Sequence, residues 1–73
     1  MKKTTVEKIV NAVNKEIAKN KKGYYMLFLT DNISVYCNSI NINENLVMFH
    51  NDGIYTGSCL VKSVDKIRYS KGV

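Results

Sequence analysis

The sequence predicts an α+β domain, in which one N-terminal amphipathic helix is followed by a strongly bent antiparallel meander of four or five strands, curled in the manner of a small barrel. Three observations predict it. Apolar residues recur at helical spacing over residues 4–22, the period switches to two from residue 24, and that alternation slips phase near residue 38. The 73 residues read as a single domain, with the helix at 4–22, the meander at 24–69 and a frayed tail at 70–73.

The helix rests on Val6, Ile9, Val10, Val13 and Ile17, which follow the i, i+3, i+4, i+7, i+11 spacing of one face. Thr4 and Glu7 have the Thr-x-x-Glu spacing of a capping box at its start, and Gly23 is placed to stop it. At about 100° per residue, Lys8, Lys15, Lys19 and Lys22 gather opposite the apolar stripe, so one face is core and the other a basic rail.

In the meander, residues 24–30 are apolar on both faces, as expected of a strand covered on both sides. Asp31-Asn32 suits a two-residue turn, since both tolerate the left-handed region. The second strand spans residues 33–42. Its inward set moves from Ile33, Val35 and Cys37 to Ile40 and Ile42, which requires a bulge or bend at Asn38-Ser39. Asn43-Glu44-Asn45 and Asn51-Asp52-Gly53 are turns, residues 54–62 form another strand, and Gly57 inside it marks a bulge. Ser63 to Lys66 make a corner before a short last strand containing Ile67-Arg68-Tyr69. The expected core is Val6, Ile9, Val10, Val13, Ile17, Leu27, Leu29, Val35, Ile40, Val47, Phe49, Ile54, Leu60 and Ile67.

Composition narrows the class of function. With 45% apolar and 23% charged residues the chain is neither a disordered tail nor a membrane span. The net charge of +5 sits in residues 1–22, where seven Lys face Glu7 and Glu16; the remainder carries four basic and four acidic groups. A basic segment of this kind favours an acidic partner such as nucleic acid, and it is equally the solvated face of a Lys-rich helix. The amphipathic start lacks the unbroken apolar stretch of an export signal, so the expected setting is the cytoplasm. Richness in Asn, Lys and Ile fits an AT-rich bacterial or phage genome.

Catalytic and metal chemistry find little raw material. Cys37 and Cys59 form no CxxC pair, and with a lone His50 they make no four-ligand zinc set within one chain. Gly57-Ser58-Cys59 has neither a nucleophile elbow nor a Cys-His signature, and Asp31, Glu44 and Asp52 occupy turns. Phosphate-cradling, dinucleotide and calcium-binding motifs are missing from the sequence. The expectation is therefore no enzyme, no cofactor and no metal.

What remains is an aromatic and basic set: Tyr24, Tyr36, Tyr55 and Tyr69 for stacking or interface, with Lys62, Lys66 and Arg68 beside the helix lysines. Arg68 and Tyr69 are neighbours on a strand and so point to opposite faces. A helix followed by a bent meander is similar in order to the Sm-like small barrels, which form RNA-binding rings. Asn43-Glu44-Asn45-Leu46 resembles the Asn-x-x-Leu that closes their first motif. Ser39 stands where that motif has Asp, the second-strand Gly is missing, Val61-Lys62-Ser63 lacks the Gly of the second motif, and Arg68-Tyr69-Ser70-Lys71 lacks the His of the bacterial branch. The likeness is one of architecture and carries no residue roles.

The functional expectation is a small binding module. One version binds RNA or DNA through Lys8, Lys15, Lys19, Lys22, Lys62, Lys66 and Arg68. The alternative is a phage- or mobile-element-type regulator that binds a host protein through a sheet edge and exposed Tyr residues. A homo-oligomer and no membrane association are expected in either case.

Overall fold

The computed structural model describes residues 1–72 and contains one helix followed by six antiparallel strands. Helix α1 spans Lys3–Lys19. The strands are β1 (Tyr24–Leu29), β2 (Ser34–Cys37), β3 (Ser39–Asn43), β4 (Leu46–Asn51), β5 (Ile54–Leu60) and β6 (Val64–Ser70), with a 3₁₀ turn at Val61–Ser63 between the last two. They form two three-stranded sheets: sheet A in the order β2-β1-β6 and sheet B in the order β3-β4-β5.

The phase slip in the sequence has a direct counterpart. Asn38 stands between β2 and β3, where a single strand with a bulge or bend was expected, and passes the chain from sheet A to sheet B. Its backbone N–H donates to the His50 carbonyl (3.2 Å). Its side chain makes a reciprocal pair with the turn opposite, Nδ2 donating to Asp52 Oδ1 (2.9 Å) and Oδ1 accepting from the Asp52 backbone N–H (3.1 Å). The chain returns to sheet A through the 3₁₀ turn, where the Val61 N–H donates to the Asn45 carbonyl (2.8 Å). The two sheets are thus joined at two corners and are not closed on one another by a shared ladder.

The turns follow their residues. Asp52 and Gly53 both have positive φ (52° and 80°) between the paired Asn51 and Ile54, which is the two-residue primed turn that suits twisted strands. Asp31-Asn32 was expected to turn alone, but the Leu29 N–H bonds to the Ile33 carbonyl (2.9 Å) and makes a three-residue loop with Asn32 at φ 66°. Glu44 takes φ 55° in the tighter turn between the paired Asn43 and Leu46.

The core lies between the inner faces of the sheets and is capped by α1, which packs on β3, β6 and the 3₁₀ turn. Val6, Val10 and Val13 are buried, each contributing roughly 1.5–3 kcal/mol of apolar transfer. Tyr25, Leu27 and Cys37 of sheet A meet Ile40, Val47 and Phe49 of sheet B. The Tyr25 hydroxyl donates to the Val10 carbonyl (2.9 Å) and touches the Asn14 side-chain amide, tying helix to sheet.

Several expectations are corrected. The helix ends at Lys19, because Asn20 is its cap, and Lys22 lies beyond it. Lys2 is the N-cap and makes no side-chain capping bond, so the Thr4/Glu7 box does not form. Gly23 is buried and has no positive φ; it is small because the Tyr69 ring lies against it. Ile54 and Leu60 are exposed at 68% and 45%, while Tyr25, Cys37, Val61 and Val64 take core positions. Only one face of β1 is fully buried. The 3₁₀ corner comes at Val61–Ser63, earlier than expected, and Ser70 belongs to β6. Of the tail expected to fray, the Lys71 carbonyl accepts from Asn20 Nδ2 (3.2 Å), and Val73 lies outside the described residues.

Candidate nucleic-acid interface

Alternation along β1 sends Tyr25 and Leu27 into the core and leaves Tyr24, Met26 and Phe28 half-buried on the outer face of sheet A. Register brings their neighbours into line. On β6, Arg68 pairs with Met26 and Lys66 with Phe28; on β2, Tyr36 pairs with Met26 and Ser34 with Phe28. The result is a central apolar and aromatic row, a basic row on one flank, and Tyr36 on the other. Tyr36 is 61% exposed, and its ring lies edge-on to that of Tyr24, with centroids 6.0 Å apart.

One end of this face is a depression of about 320 Å³ lined by Lys21, Lys22, Tyr24, Tyr36, Asn38 and Asn51, among others. Its lysines are positioned by the helix end: Asn20 accepts from the Lys22 backbone N–H through Oδ1 (3.1 Å), and the Asn20 carbonyl accepts from the Gly23 N–H (2.9 Å). Asn51 Nδ2 donates to the Tyr36 carbonyl (3.3 Å). At the other end, the bulge on β6 that shifts register between Phe28 and Leu29 places Asp65 beside Lys66, Phe28 and Ile33.

The sequence-predicted residues divide between surfaces. Tyr24, Tyr36, Lys22, Lys66 and Arg68 come together on sheet A. Lys8, Lys15 and Lys19 are exposed along α1. Lys62 is exposed in the 3₁₀ turn, beside a recess of about 420 Å³ lined by Met1, Lys3, Asn45, Leu60 and Val61. Tyr69 pairs with the buried Tyr25 and packs on the core, so it leaves the stacking set, and Arg68 does lie on the opposite face. Tyr55 belongs to sheet B, where it pairs with His50, ring centroids 5.7 Å apart. Met26, Phe28, Lys21, Asn38 and Asn51 were not among the site residues expected from the sequence, where Asn38 and Asn51 figured only as bend and turn residues. Met26 and Phe28 share the parity of Tyr24, which alternation alone reveals once the opposite parity is assigned to the core.

The chemistry available elsewhere is sparse. Cys37 is buried and its thiol is pushed up to about 11 by loss of solvent, with backbone hydrogen bonds at Ser39 and His50 pulling the other way. Burial and the neighbouring Asp31 raise Cys59, and burial first, then the nearby Cys37, raises Tyr25. Both shifts favour the less reactive protonated thiol over the thiolate. His50 Nδ1 is buried without a hydrogen-bond partner among the described residues. Among the described residues no three His, Cys, Asp or Glu side chains converge as a metal site, and no helix is long and apolar enough to cross a membrane.

No protein-family model, curated protein or solved structure matches this chain.

Proposed function

We propose that this chain is a small binding module without catalytic machinery, and that its ligand is nucleic acid held on the outer face of sheet A. The observation that carries the reading is the register itself, which sets Lys66 and Arg68 beside Phe28 and Met26, with Tyr24 and Tyr36 next to Lys21 and Lys22. Aromatic faces stack on bases for roughly 1–3 kcal/mol each, and cations beside them release counterions from phosphates. The two corner-joined sheets are, in this reading, the halves of a small barrel that displays one face. Two free thiols suit a reducing cytoplasm.

Titration of labelled RNA and DNA oligonucleotides at several salt concentrations tests this. Affinity should fall linearly on a log–log plot, and Lys66→Glu with Arg68→Glu should reduce the slope by about 1.4. The same reversal at Lys15 and Lys19 should change it less. Flat traces with every nucleic acid would sink the proposal.

A second surface supports a protein-binding role alongside it. Edge strand β5 contains no charged residue over its seven positions and exposes Ile54, Tyr55 and Leu60, with Leu46 paired to Leu60. An uncharged edge with aromatic and aliphatic side chains is suited to strand addition by a second copy or by a host protein. Light scattering across micromolar concentrations tests the second copy, with Leu60→Lys as the disrupting variant; a constant monomer mass would remove self-association.

A further inference from the structure

We infer that the nucleic acid accepted by sheet A is a single strand in an extended, unstacked form, running along β1 with its phosphates on the β6 side and its bases directed toward β2. The inference rests on the nucleic-acid reading above and goes on to name the form of the ligand. It is drawn from pitch.

Along β1 the outward residues Tyr24, Met26 and Phe28 repeat every two positions, or about 6.8 Å. On β6 the cations Lys66 and Arg68 repeat at the same pitch, in register with Phe28 and Met26. In a duplex, bases follow one another at about 3.4 Å along the axis, half that distance, and their flat faces are hidden in the stack. Only a strand free of its partner can separate successive bases enough to offer one face to each row. The shape of the surface argues the same way, since a major groove about 12 Å wide admits a helix or a two-stranded ribbon, whereas this surface is the face of a three-stranded sheet.

The flanks give the strand a sidedness. Beside Met26 and Phe28 the cations Arg68 and Lys66 lie on the β6 side, with Asp65 next to Lys66, while the β2 side there offers Tyr36 and Ser34, which carry no charge. A backbone placed over Lys66 and Arg68 therefore sends its bases across Met26 and Phe28, and the base nearest Tyr24 meets the exposed Tyr36 ring. Lys21 and Lys22 stand at that end in the depression they share with Tyr36 and Asn38, on the β2 side, where the strand leaves the sheet.

The test compares four probes of the same length, about 12 nucleotides: single-stranded RNA, single-stranded DNA, a duplex of the same sequence, and an abasic strand that keeps only sugars and phosphates. The single strands should bind at least tenfold tighter than the duplex and the abasic strand. Tyr36→Ala should weaken single-strand binding by roughly 5- to 100-fold and leave the abasic strand unaffected, with Tyr36→Phe restoring affinity; Tyr36 is exposed, so its removal spares the core. Equal binding of duplex and single strand overturns this inference and leaves the broader reading standing. Equal binding of abasic and intact strands overturns the stacked arrangement. Failure of all four probes overturns the inference and the nucleic-acid reading together, and turns attention to a protein on the same face.

Discussion

Gly23 carries more structural weight than its size suggests. A Cβ there would stand 2.7 Å from Tyr69 Cε1 and 3.1 Å from the Asn20 carbonyl oxygen, inside the junction that holds Lys22 beside the depression at the end of sheet A. Gly23→Ala should cost about 1–3 kcal/mol through overpacking, read as a lower urea midpoint at constant slope. An unchanged midpoint would mean that the Tyr69 ring moves aside freely. Cys37 makes a second prediction at this scale. Its thiol is raised from 9.0 to about 11, so between these values the unfolded chain gives up a proton that the native state retains. The unfolded state then binds fewer protons, and stability falls as pH rises through that window, by roughly 3 kcal/mol. Below pH ~9 the contribution is fully present. Tyr25, raised for the same reason of burial, adds to the loss at still higher pH. Urea titrations between neutral and alkaline pH measure this, and a Cys37→Ala variant should show a shallower decline.

At the scale of elements, the Asn38–Asp52 pair decides how one long strand becomes two. It braces the corner between β2 and β3 against the β4–β5 turn, and Asp52 sits there at φ 52°. Asn38→Asp would replace the donor facing Asp52 Oδ1 with a carboxylate oxygen, setting like charges together. The expected loss is about 1–3 kcal/mol, read as a lower urea midpoint and partly relieved by added salt, which screens like charges. An unchanged midpoint would show that the corner is held by backbone pairing alone. The corner also bears on the proposed function, since Asn38 lines the depression beside Tyr24 and Tyr36.

For the whole molecule, two sheets joined at corners imply uneven protection. Strands β1 and β4 are central, each paired on both sides, whereas β2, β3, β5 and β6 are edges. Amide exchange should be slowest in β1 and β4, with β5 fast because its outer edge is uncovered in the single chain. Protection of β5 that grows with protein concentration would mark the edge as the site of self-association. Exchange in β5 as slow as in β4 at the lowest concentration would contradict the sheet order given above.

The succession of one helix and a bent antiparallel meander was legible because it depends on local pattern: the spacing of Val6, Val10 and Val13, the β-branched and aromatic alternation from residue 24, and the phase slip at Asn38. The helix boundaries were not: at the N-terminal end Lys2 is the cap in place of the Thr4/Glu7 box, and at the C-terminal end Gly23 is a cue that contacts at Asn20 and Tyr69 overrode. Likewise, the chain order lists Tyr24, Tyr36, Tyr55 and Tyr69 as equals, and only strand pairing separates the two that share a face with Arg68 from the one in sheet B and the one against the core. Composition and periodicity determine which residues can stack, carry charge or be buried. Which of them become neighbours is decided by register, because a shift of one residue in pairing turns a side chain from solvent to core.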